Sequence, residues 1–331
     1  MPFLKNTDIC FMKRVSVLVV NHALIAAIGN ARYLFDRVNE FLNHSGNDPL
    51  FEVKLVGKQK IIEFNNGPFT ISADATIAET KNTDLIIIPP MSGDMREAIN
   101  SNLECISWIH QQYQNGTEIA TLCVGAFLLA ETGLLNNRPC STHWVTANDF
   151  RNRYPEVILV DEKIITDQDG LYTSGGANSY WNLLIYLIEK FAGRDAAIYA
   201  SKYFEIDRDR NNQSVFRIFE GSKSHDDENV LEAQQYIEQR YAEKLTIKQL
   251  SKFTNLSQRT FQRRFKEATY FSVHTYIQKV RIEAAKRLLE SQSLTVNEIM
   301  FETGYQDPKA FRIIFKKETG VSPSTYRDKY S

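Results

Sequence analysis

A cysteine and a histidine in the first half of the chain are the residues best suited to covalent chemistry. Cys123 lies in IATLCVGAFLLAETG, where an apolar run changes at once to a helical pattern. A sharp turn from strand to helix lifts a side chain above a sheet and aims the first helical N–H groups toward it, which can lower a thiol pKa or bind an anion. His143 follows twenty residues later in STHW. A cysteine with a distant histidine can support nucleophilic catalysis, although the pair alone is a weak signal.

An acidic residue that would orient the histidine is missing from the expected positions. After the first apolar run the chain reads NHALIAAIGN, and no Glu or Asp follows before Asp36. Asp149 and Asp161 are the remaining candidates, and their spacing does not place them beside His143. A thiol without such support keeps a pKa of about 8.5 and reacts slowly. Three interpretations stay open for Cys123 and His143: a ligand-sensing pocket that retains the turn, which we favour, a purely structural pair, and a working hydrolase or related enzyme.

The favoured interpretation predicts a ligand pocket around this turn. Backbone N–H groups at the start of the helix would form its floor, beside a Gly-Gly pair near the end of the sheet. The predicted pocket residues are Cys123, Val124, Gly125, His143, Gly175 and Gly176. The run PPMSG at 89–93 follows another apolar run and is expected to form a rim loop. These residues do not select one effector, so the small molecule stays unknown.

A second group of functional side chains lies near the C-terminus, on the outer faces of two predicted helices. In each helix a pair of phenylalanines points inward and leaves polar and cationic side chains outside. Arg and Lys suit guanine edges and phosphates, and Gln suits adenine edges, so the faces fit a DNA major groove. A solvated amphipathic face is the alternative. The predicted DNA-binding residues are Ser257, Gln258, Arg259, Gln262, Arg263 and Lys266 around the first helix, and Lys309, Arg312 and Lys316 in the second.

Both helices belong to a unit that occurs twice. Residues 246–276 align with residues 295–326, with one extra residue at the turn, and the paired phenylalanines coincide. Such self-similarity indicates a repeated supersecondary unit. In the second copy Gly304 suits the turn, Asp307 the N-cap and Pro308 the first helical position. The sequence therefore predicts two helix-turn-helix units.

The segment between the copies, HTYIQKVRIEAAKRLLESQS, has apolar residues at helical spacing. A helix of about 16 to 18 residues would hold the two units about 25 Å apart along its axis. This spacing is compatible with two recognition helices in successive major-groove faces. The predicted partner is therefore double-stranded DNA with a bipartite site.

The elements that must position Cys123 alternate between short apolar runs and helical stretches. The runs are almost continuously apolar, as in the strands of a buried parallel sheet. The predicted strands are 15–20, 51–57, 84–90 and 118–123, and the predicted helices are 23–41, 94–113, 124–132 and 179–191. This alternation predicts a three-layer α/β domain with its ligand site at the carboxyl ends of the strands.

Composition supports two domains of opposite charge. With 331 residues, 43% of them hydrophobic, the chain can bury two cores, in domains of about 200 and about 100 residues. The net charge of −1 conceals an asymmetry, because Asn229 onward carries 18 Lys and Arg against 11 Asp and Glu, and the remainder carries 21 against 29. A basic C-terminal domain fits a nucleic-acid partner.

Cysteine spacing and the N-terminal pattern bear on the compartment. The four cysteines, none in a CxxC or Cys–His ligand spacing, are Cys10, Cys105, Cys123 and Cys140. They predict neither a disulfide framework nor a metal site. Lys13 and Arg14 before an apolar run resemble a secretory leader, but Asn21 and His22 interrupt that run after six residues. No segment is long enough to span a membrane. We expect a cytoplasmic protein, and we expect it to have no cofactor.

A polar, irregular stretch separates the two patterns. Residues 221–228 have the composition of a flexible, exposed connector. His225 beside Asp226 and Asp227 is expected to be solvated rather than metal-bound. The predicted segments are an N-terminal extension at 1–13, an α/β sensor domain at 14–205, a linker at 206–228 and a DNA-binding domain at 229–331.

Several segments carry a family resemblance. LSQRTFQRRFKE, RIEAAKRLLE and GYQDPKAFRIIFKKETGVSPSTYR resemble the all-α C-terminal DNA-binding domain of AraC-type transcription regulators. IATLCVGAFLLAETGLLNNRPCSTHW, with Gly175-Gly176 before SYWNLLIYLIEKF, resembles the PfpI-like, class I glutamine-amidotransferase-like domain, which implies a flavodoxin-like sheet with a cysteine at its nucleophile elbow. The combination is similar to GlxA-type AraC regulators from about Arg14 to Tyr330.

The resemblance implies a homodimeric, non-enzymatic transcription regulator whose α/β domain senses a small molecule, mediates dimerisation, or both. An amidase-like or protease-like cysteine enzyme with a DNA-binding tether is the alternative. Asn255 and Tyr270-Phe271 depart from the glycine-containing turns usual in the first copy, and Ile313 stands where a polar residue is common. The second copy is therefore expected to read bases less sharply than the first.

Overall fold

The chain folds into two compact units, Met1–Gln213 and Ser214–Ser331. The computed structural model describes residues 12–64, 69–208, 213–216, 218–223, 225–291 and 293–331. Cys10 and most of the predicted N-terminal extension lie outside these residues.

The N-terminal unit is built on a seven-stranded sheet. Its described strands are β1 (Lys13–Val19), β2 (Phe51–Gly57), β3 (Ile61–Glu63), β4 (Thr70–Ser72), β5 (Ala75–Thr76), β6 (Leu85–Ile88), β7 (Glu118–Thr121), β8 (Pro139–Cys140), β9 (Ile158–Leu159), β10 (Ile165–Gln168) and β11 (Leu171–Ser174). The main sheet has the order β10-β11-β7-β6-β1-β2-β5, with only β10 antiparallel to its neighbour. The order β2-β1-β6-β7-β11 is that of flavodoxin, which confirms the predicted fold class.

Two helical groups complete the three layers of this unit. Its described helices are α1 (Ile25–His44), α2 (Met95–Asn100), α3 (Leu103–Gln114), α4 (Ala126–Ala130), α5 (Ala147–Arg153), α6 (Ser179–Ala192) and α7 (Arg194–Tyr203). Helices α1, α6 and α7 contact one another, and α4 contacts α2 and α3. The four predicted strands are confirmed as β1, β2, β6 and β7. Most side chains of β1, β6 and β7 are buried, as a sheet covered on both faces requires, whereas β2 has only Phe51, Val56 and Gly57 buried.

Two predicted helices differ from the observed ones. The stretch 94–113 is not one helix, because Asn102 interrupts it between α2 and α3. The buried Asn102 amide donates to the carbonyls of Asn21 and Ala98 and so ties the break to the end of β1. The stretch 124–132 begins as a 3-10 turn at Cys123–Gly125, and its α-helical part ends at Ala130.

The C-terminal unit is helical and contains the repeated unit twice. Its described helices are α8 (Glu228–Arg240), α9 (Ile247–Phe253), α10 (Gln258–Thr269), α11 (Val273–Ser291), α12 (Val296–Glu302), α13 (Pro308–Thr319) and α14 (Pro323–Tyr330). One hydrophobic core surrounds Phe261 and Phe265 of α10, and a second surrounds Phe311 and Phe315 of α13. Helix α11 contributes buried side chains to both cores. At 19 residues it is slightly longer than predicted.

Side-chain caps define where the repeated helices begin. Thr246 and Thr295 form matching capping boxes at α9 and α12, with Gln249 and Glu298 as the reciprocal partners. The predicted N-cap of α13 is confirmed: Asp307 accepts from the Lys309 and Ala310 N–H groups, and Pro308 is the first helical residue. Ser257 caps α10 in the same way, accepting from the Thr260 N–H.

The stretch expected as an exposed connector is packed against the C-terminal unit. Ser222 is buried, and its carbonyl accepts from the Gln234 amide at 2.8 Å. Asp227 caps α8 and forms a two-contact ion pair with Arg264 of α10. His225 lies 3.1 Å from Gln234 Oε1. Composition favours a connector here, but specific hydrogen bonds fix the chain.

The two copies end their second helix in the same backbone conformation with different residues. Tyr270 ends α10 at φ 63°, and Gly320 ends α13 at φ 83°. A left-handed conformation disfavours residues with a Cβ by about 1 kcal/mol.

We predict that Tyr270→Gly stabilises the C-terminal unit by about 0.5 kcal/mol, because relief of the left-handed strain exceeds the added freedom of the unfolded chain. Gly320→Ala should destabilise it by about 1 kcal/mol. Urea unfolding of the full chain, followed by signals from the C-terminal unit, measures both changes. Equal destabilisation by the two substitutions would contradict this account.

Candidate functional site

Cys123 occupies a tight strand-to-helix turn at the carboxyl end of β7. Its φ is 56°, in the left-handed region. Its N–H donates to Ser174 Oγ at 2.9 Å, and its carbonyl accepts from Thr142 Oγ1 at 3.2 Å. Gly125, the last residue of this turn, passes so close to the end of β6 that a Cβ would lie 2.7 Å from the Pro89 carbonyl oxygen. The predicted elbow geometry is therefore present and is fixed by both backbone and side-chain contacts.

The thiol at the turn is protonated at neutral pH. Burial raises the pKa of Cys123 to about 11, although the N–H groups of Ala177 and Val124 act in the opposite direction by stabilising the thiolate. The side chain is only 6% exposed. Burial also raises the pKa values of Cys105 and Cys140, so the turn does not distinguish Cys123 from two structural thiols.

His143 lies at the same edge without an observed catalytic partner. Its Nδ1 accepts from the Val145 N–H at 3.1 Å, and burial lowers the pKa of its imidazole. The two acidic candidates engage arginines: Asp149 pairs with Arg153 at 2.9 Å, and Asp161 faces an arginine at 3.7 Å. Among the hydrogen bonds of the described residues, none joins His143 to Cys123. The Nδ1 of His143 is therefore engaged by the backbone, and both acidic candidates are engaged by arginines.

The predicted Gly-Gly pair gives close contact on two sides. A Cβ at Gly176 would lie 2.3 Å from His143 Cδ2, so the imidazole rests directly on this backbone. A Cβ at Gly175 would lie 2.7 Å from Gln213 Oε1. Gly176 also donates its N–H to Gln213 Oε1 at 2.9 Å. The structure therefore brings the glycines, the histidine and the cysteine turn together, and it adds Gln213, which lies in a polar stretch with no distinguishing sequence signal.

The rim predicted at 89–93 joins the end of β1. The His22 carbonyl accepts from the Ser92 N–H at 2.8 Å, and His22 itself has φ 65°. A Cβ at Gly93 would lie 3.6 Å from His22 Nδ1. Between α1 and α6, the Tyr180 hydroxyl accepts from the Asn30 side-chain amide at 2.7 Å. The sequence gives no signal for His22, Asn30 or Tyr180, because each is isolated in the chain.

The predicted DNA-binding residues lie on exposed faces of α10 and α13. All nine are exposed: Ser257, Gln258, Arg259, Gln262, Arg263, Lys266, Lys309, Arg312 and Lys316. The inward-facing phenylalanines are fully buried. Arg263 pairs with Glu267 at 2.9 Å in an exposed ion pair, which is a weak interaction in water. Ile313 is 58% exposed, as expected for its position on the same face.

A groove accompanies the second of these faces. It has a volume of about 520 Å³ and lies between α13 and the start of α14. Its lining residues are Val296, Arg312, Ile313, Lys316, Ser322, Pro323 and Ser324. Cations, hydroxyls and the N–H groups of a helix start are the groups that contact DNA phosphates.

Family models match both units. The model of the DJ-1/PfpI family matches residues 39–190, and a helix-turn-helix domain model matches residues 250–329. The first match lies within the N-terminal unit and the second within the C-terminal unit.

Known regulators are similar along most of the chain. The HTH-type transcriptional regulator GbdR of Pseudomonas aeruginosa is 24% identical over 78% of this chain and 69% of its own length. CdhR of the same species is 23% identical, covering 80% and 77%. GlxA of Rhizobium meliloti is 25% identical, covering 64% of this chain and 65% of its own. A solved structure from Vibrio parahaemolyticus, assigned as a transcriptional regulator, has a TM-score of 0.51 at 21% identity, covering 58% and 98%, and shows the fold alone.

A flavodoxin-like domain with an elbow cysteine, joined to a pair of helix-turn-helix units, defines a DNA-binding transcription regulator. The chain combines a DJ-1/PfpI-family domain with an AraC-type helix-turn-helix domain, and the regulators to which it is similar include GbdR and GlxA. Among the residues that the structure describes, no helix is both long and apolar enough to cross a membrane.

We predict slow alkylation of Cys123 in the folded protein. Because burial places its pKa at about 11 rather than 9.0, the thiolate fraction at pH 8 falls about a hundredfold below that of the unfolded chain. Iodoacetamide labelling, read by mass spectrometry of peptides with and without urea, measures the ratio. Cys105 provides the internal control with the same expected protection, and rapid labelling of folded Cys123 alone would identify a reactive thiolate.

Proposed function

We propose that α10 and α13 read two successive major-groove segments of one DNA site, under the control of a small molecule bound at the Cys123 turn. The observation that carries this proposal is the matched pair of exposed cationic helix faces, each built over its own phenylalanine core and both joined by α11. A helix of 19 residues is about 28 Å long, close to the advance of one DNA turn.

Within this assignment, the two faces have separate roles. Arg259, Gln262 and Arg263 contact base edges in one groove, and Lys309 and Arg312 contact bases or phosphates in the next. Arg and Gln make specific two-contact pairs with guanine and adenine. The exposed ion pair between Arg263 and Glu267 costs little to open. Ile313 offers apolar contact, for which a thymine methyl group is the partner in the groove.

Lys266 and Lys316 occupy matching positions near the ends of the two helices. Their long, exposed side chains suit phosphate contacts, which position a protein on DNA without reading sequence. The groove beside α13 adds hydroxyl groups and a helix start to the same surface.

The Cys123 turn is proposed as a sensing site rather than a catalytic one. A protonated thiol, and a histidine whose Nδ1 already accepts from a backbone N–H, lack the activation that nucleophilic catalysis needs. The similar proteins are transcriptional regulators, which agrees with a binding role. We also propose a homodimer, because regulators of this kind commonly bind repeated half-sites through a two-fold axis.

Selection of DNA fragments by the full-length protein tests the proposal. Genomic fragments from the source organism are bound across a salt series, and the retained DNA is sequenced. Enrichment of a bipartite motif with its two parts about one helical turn apart is expected. Retention that is independent of sequence and disappears with salt would contradict base reading by the two helices.

Substitutions on the two faces should have different signatures. Arg263→Ala should weaken binding to the selected site by about 1 to 3 kcal/mol and relax specificity at one position, because it removes a base contact. Lys266→Ala and Lys316→Ala should weaken binding to all sequences alike and lower the salt slope by about one each.

Arg240→Ala is a matched control, because Arg240 is an exposed cation on α8 outside both faces. The affinity of this variant for the selected DNA, and the salt dependence of that affinity, should equal those of the unaltered protein. Titrations with the selected fragment and a scrambled one separate these cases. A uniform loss in all four variants would mean that charge alone, and not base reading, governs binding.

A further inference from the structure

We propose that the buried side chain of Gln213 is a latch that transmits the state of the Cys123 site to the paired helix-turn-helix units. The proposal rests on the sensing role proposed above and adds the route by which that site acts. Gln213 is the last residue of the N-terminal unit, and Ser214 begins the next. The peptide that joins the two units is therefore attached directly to a residue of the site.

The latch is a polar cage with every side-chain group satisfied. Gln213 is 1% exposed. Its Nε2 donates to the carbonyls of Asp161 at 2.8 Å and Thr142 at 3.0 Å, and its Oε1 accepts from the Gly176 N–H at 2.9 Å. Its backbone N–H donates to the Glu162 carbonyl at 2.9 Å. Because a buried amide is costly to leave unpaired, Gln213 moves only when these partners move or exchange.

The partners of the latch are backbone neighbours of the predicted ligand pocket. The His143 ring rests on Gly176, and the adjacent Ala177 N–H is directed at the Cys123 sulfur. Thr142 precedes His143 and also donates its hydroxyl to the Cys123 carbonyl. A ligand that displaces the His143 ring or engages the Ala177 N–H therefore shifts a peptide group that holds Gln213.

The chain beyond the latch is packed along both helix-turn-helix units. We call residues 214–216 and 218–223 the strap. The segment Ser214–Phe216 contacts α13, and the Phe216 ring lies edge-on to Tyr330 of α14 with 6.5 Å between centroids. These contacts attach the first part of the strap to the second unit of the repeat.

The remainder of the strap is attached to the first unit of the repeat and to the connecting helix. The Phe219 ring packs 5.2 Å from that of Tyr276. The Phe219 N–H donates to Glu283 Oε2 at 3.1 Å, in the middle of α11. Gly221 has φ 76°, and a Cβ there would lie 2.5 Å from the Tyr276 hydroxyl. Phe219 also packs against the core around Phe261 and Phe265. The strap thus contacts both helix-turn-helix units and the helix that spaces them.

A displacement of Gln213 consequently moves the strap, which packs against both helix-turn-helix units. Packed elements of this kind have discrete arrangements rather than continuous ones, so a small shift at the site can change the geometry in which α10 and α13 are presented. For this transmission the effector must bind with different affinity to the state in which Gln213 is held by its partners and to the state in which it is released.

Hydrogen–deuterium exchange of the full-length protein tests the latch without an effector or DNA. Gln213→Ala removes the caged amide, and Gly175→Ala should expel it, because the new Cβ would lie 2.7 Å from Gln213 Oε1. Each substitution should raise exchange at 218–223 by about fivefold to tenfold, and the double variant should show no further increase. Gln213→Met, which keeps the side-chain volume without its hydrogen bonds, is the replacement variant if the alanine protein does not fold.

A change on the pocket side should reach the strap only through Gln213. His143→Ala removes the ring that rests on Gly176 and should raise strap exchange severalfold in the Gln213 protein. In the Gln213→Ala background the same change should leave strap exchange unaltered. Persistence of the His143 effect in that background would overturn the proposal.

Gln112→Ala is the matched control. Gln112 is a buried glutamine of the same unit, 4% exposed, and it hydrogen-bonds to the Lys81 carbonyl. Its loss should lower the thermal stability of the N-terminal unit without changing exchange in the strap. An equal rise in strap exchange for Gln112→Ala, or no rise for Gln213→Ala and Gly175→Ala, would refute the latch. Failure of the unaltered protein to select DNA would instead refute the proposed function, since the exchange results do not involve DNA.

Discussion

The close backbone approach at Gly125 is the constraint on which the sensor domain depends. The turn after β7 passes so near the end of β6 that a Cβ at this position would overlap the Pro89 carbonyl. Cys123, which begins the same turn, has a left-handed backbone conformation that sets the direction of its side chain and of the neighbouring N–H groups. Ser174 and Thr142 then hold the two sides of the Cys123 peptide. The glycine pair and His143 pack around this turn, whose backbone is held by these contacts.

The DNA-binding domain is organised by a different principle, in which one helix serves two cores. Helix α11 contributes Tyr276 to the first core and Leu289 to the second. Between these ends, the side chain of Glu283 is 10% exposed, accepts from the strap and pairs with Lys286 at 2.9 Å. A buried ion pair contributes little net stability but is strongly destabilising when one partner is removed. The middle of α11 is therefore held by polar contacts in addition to the apolar residues that it contributes to the two cores.

The sequence was sufficient for the parts of the structure that local chemistry determines. The apolar strands, the elbow at Cys123, the duplicated phenylalanine pairs and the caps at Ser257 and Asp307 all follow from patterns that lie within one segment. The break at Asn102 and the packing of Ser222 could not be predicted, because each depends on a partner far along the chain. Gln213 was missed for the same reason: its importance comes from four distant backbone groups and not from its own neighbours.

The two capping boxes illustrate how duplicated units can diverge in response to solution conditions. Thr246 is paired with an amide, Gln249, whereas Thr295 is paired with a carboxylate, Glu298. Hydrogen bonds from Thr295 hold the pKa of Glu298 below its ordinary value. A carboxyl whose pKa is lowered by folding stabilises the folded state above its unfolded pKa, and that contribution is lost as the pH falls through the folded pKa. Acidification therefore weakens the start of α12 and spares the start of α9, so that a structurally symmetric pair becomes chemically asymmetric in acid.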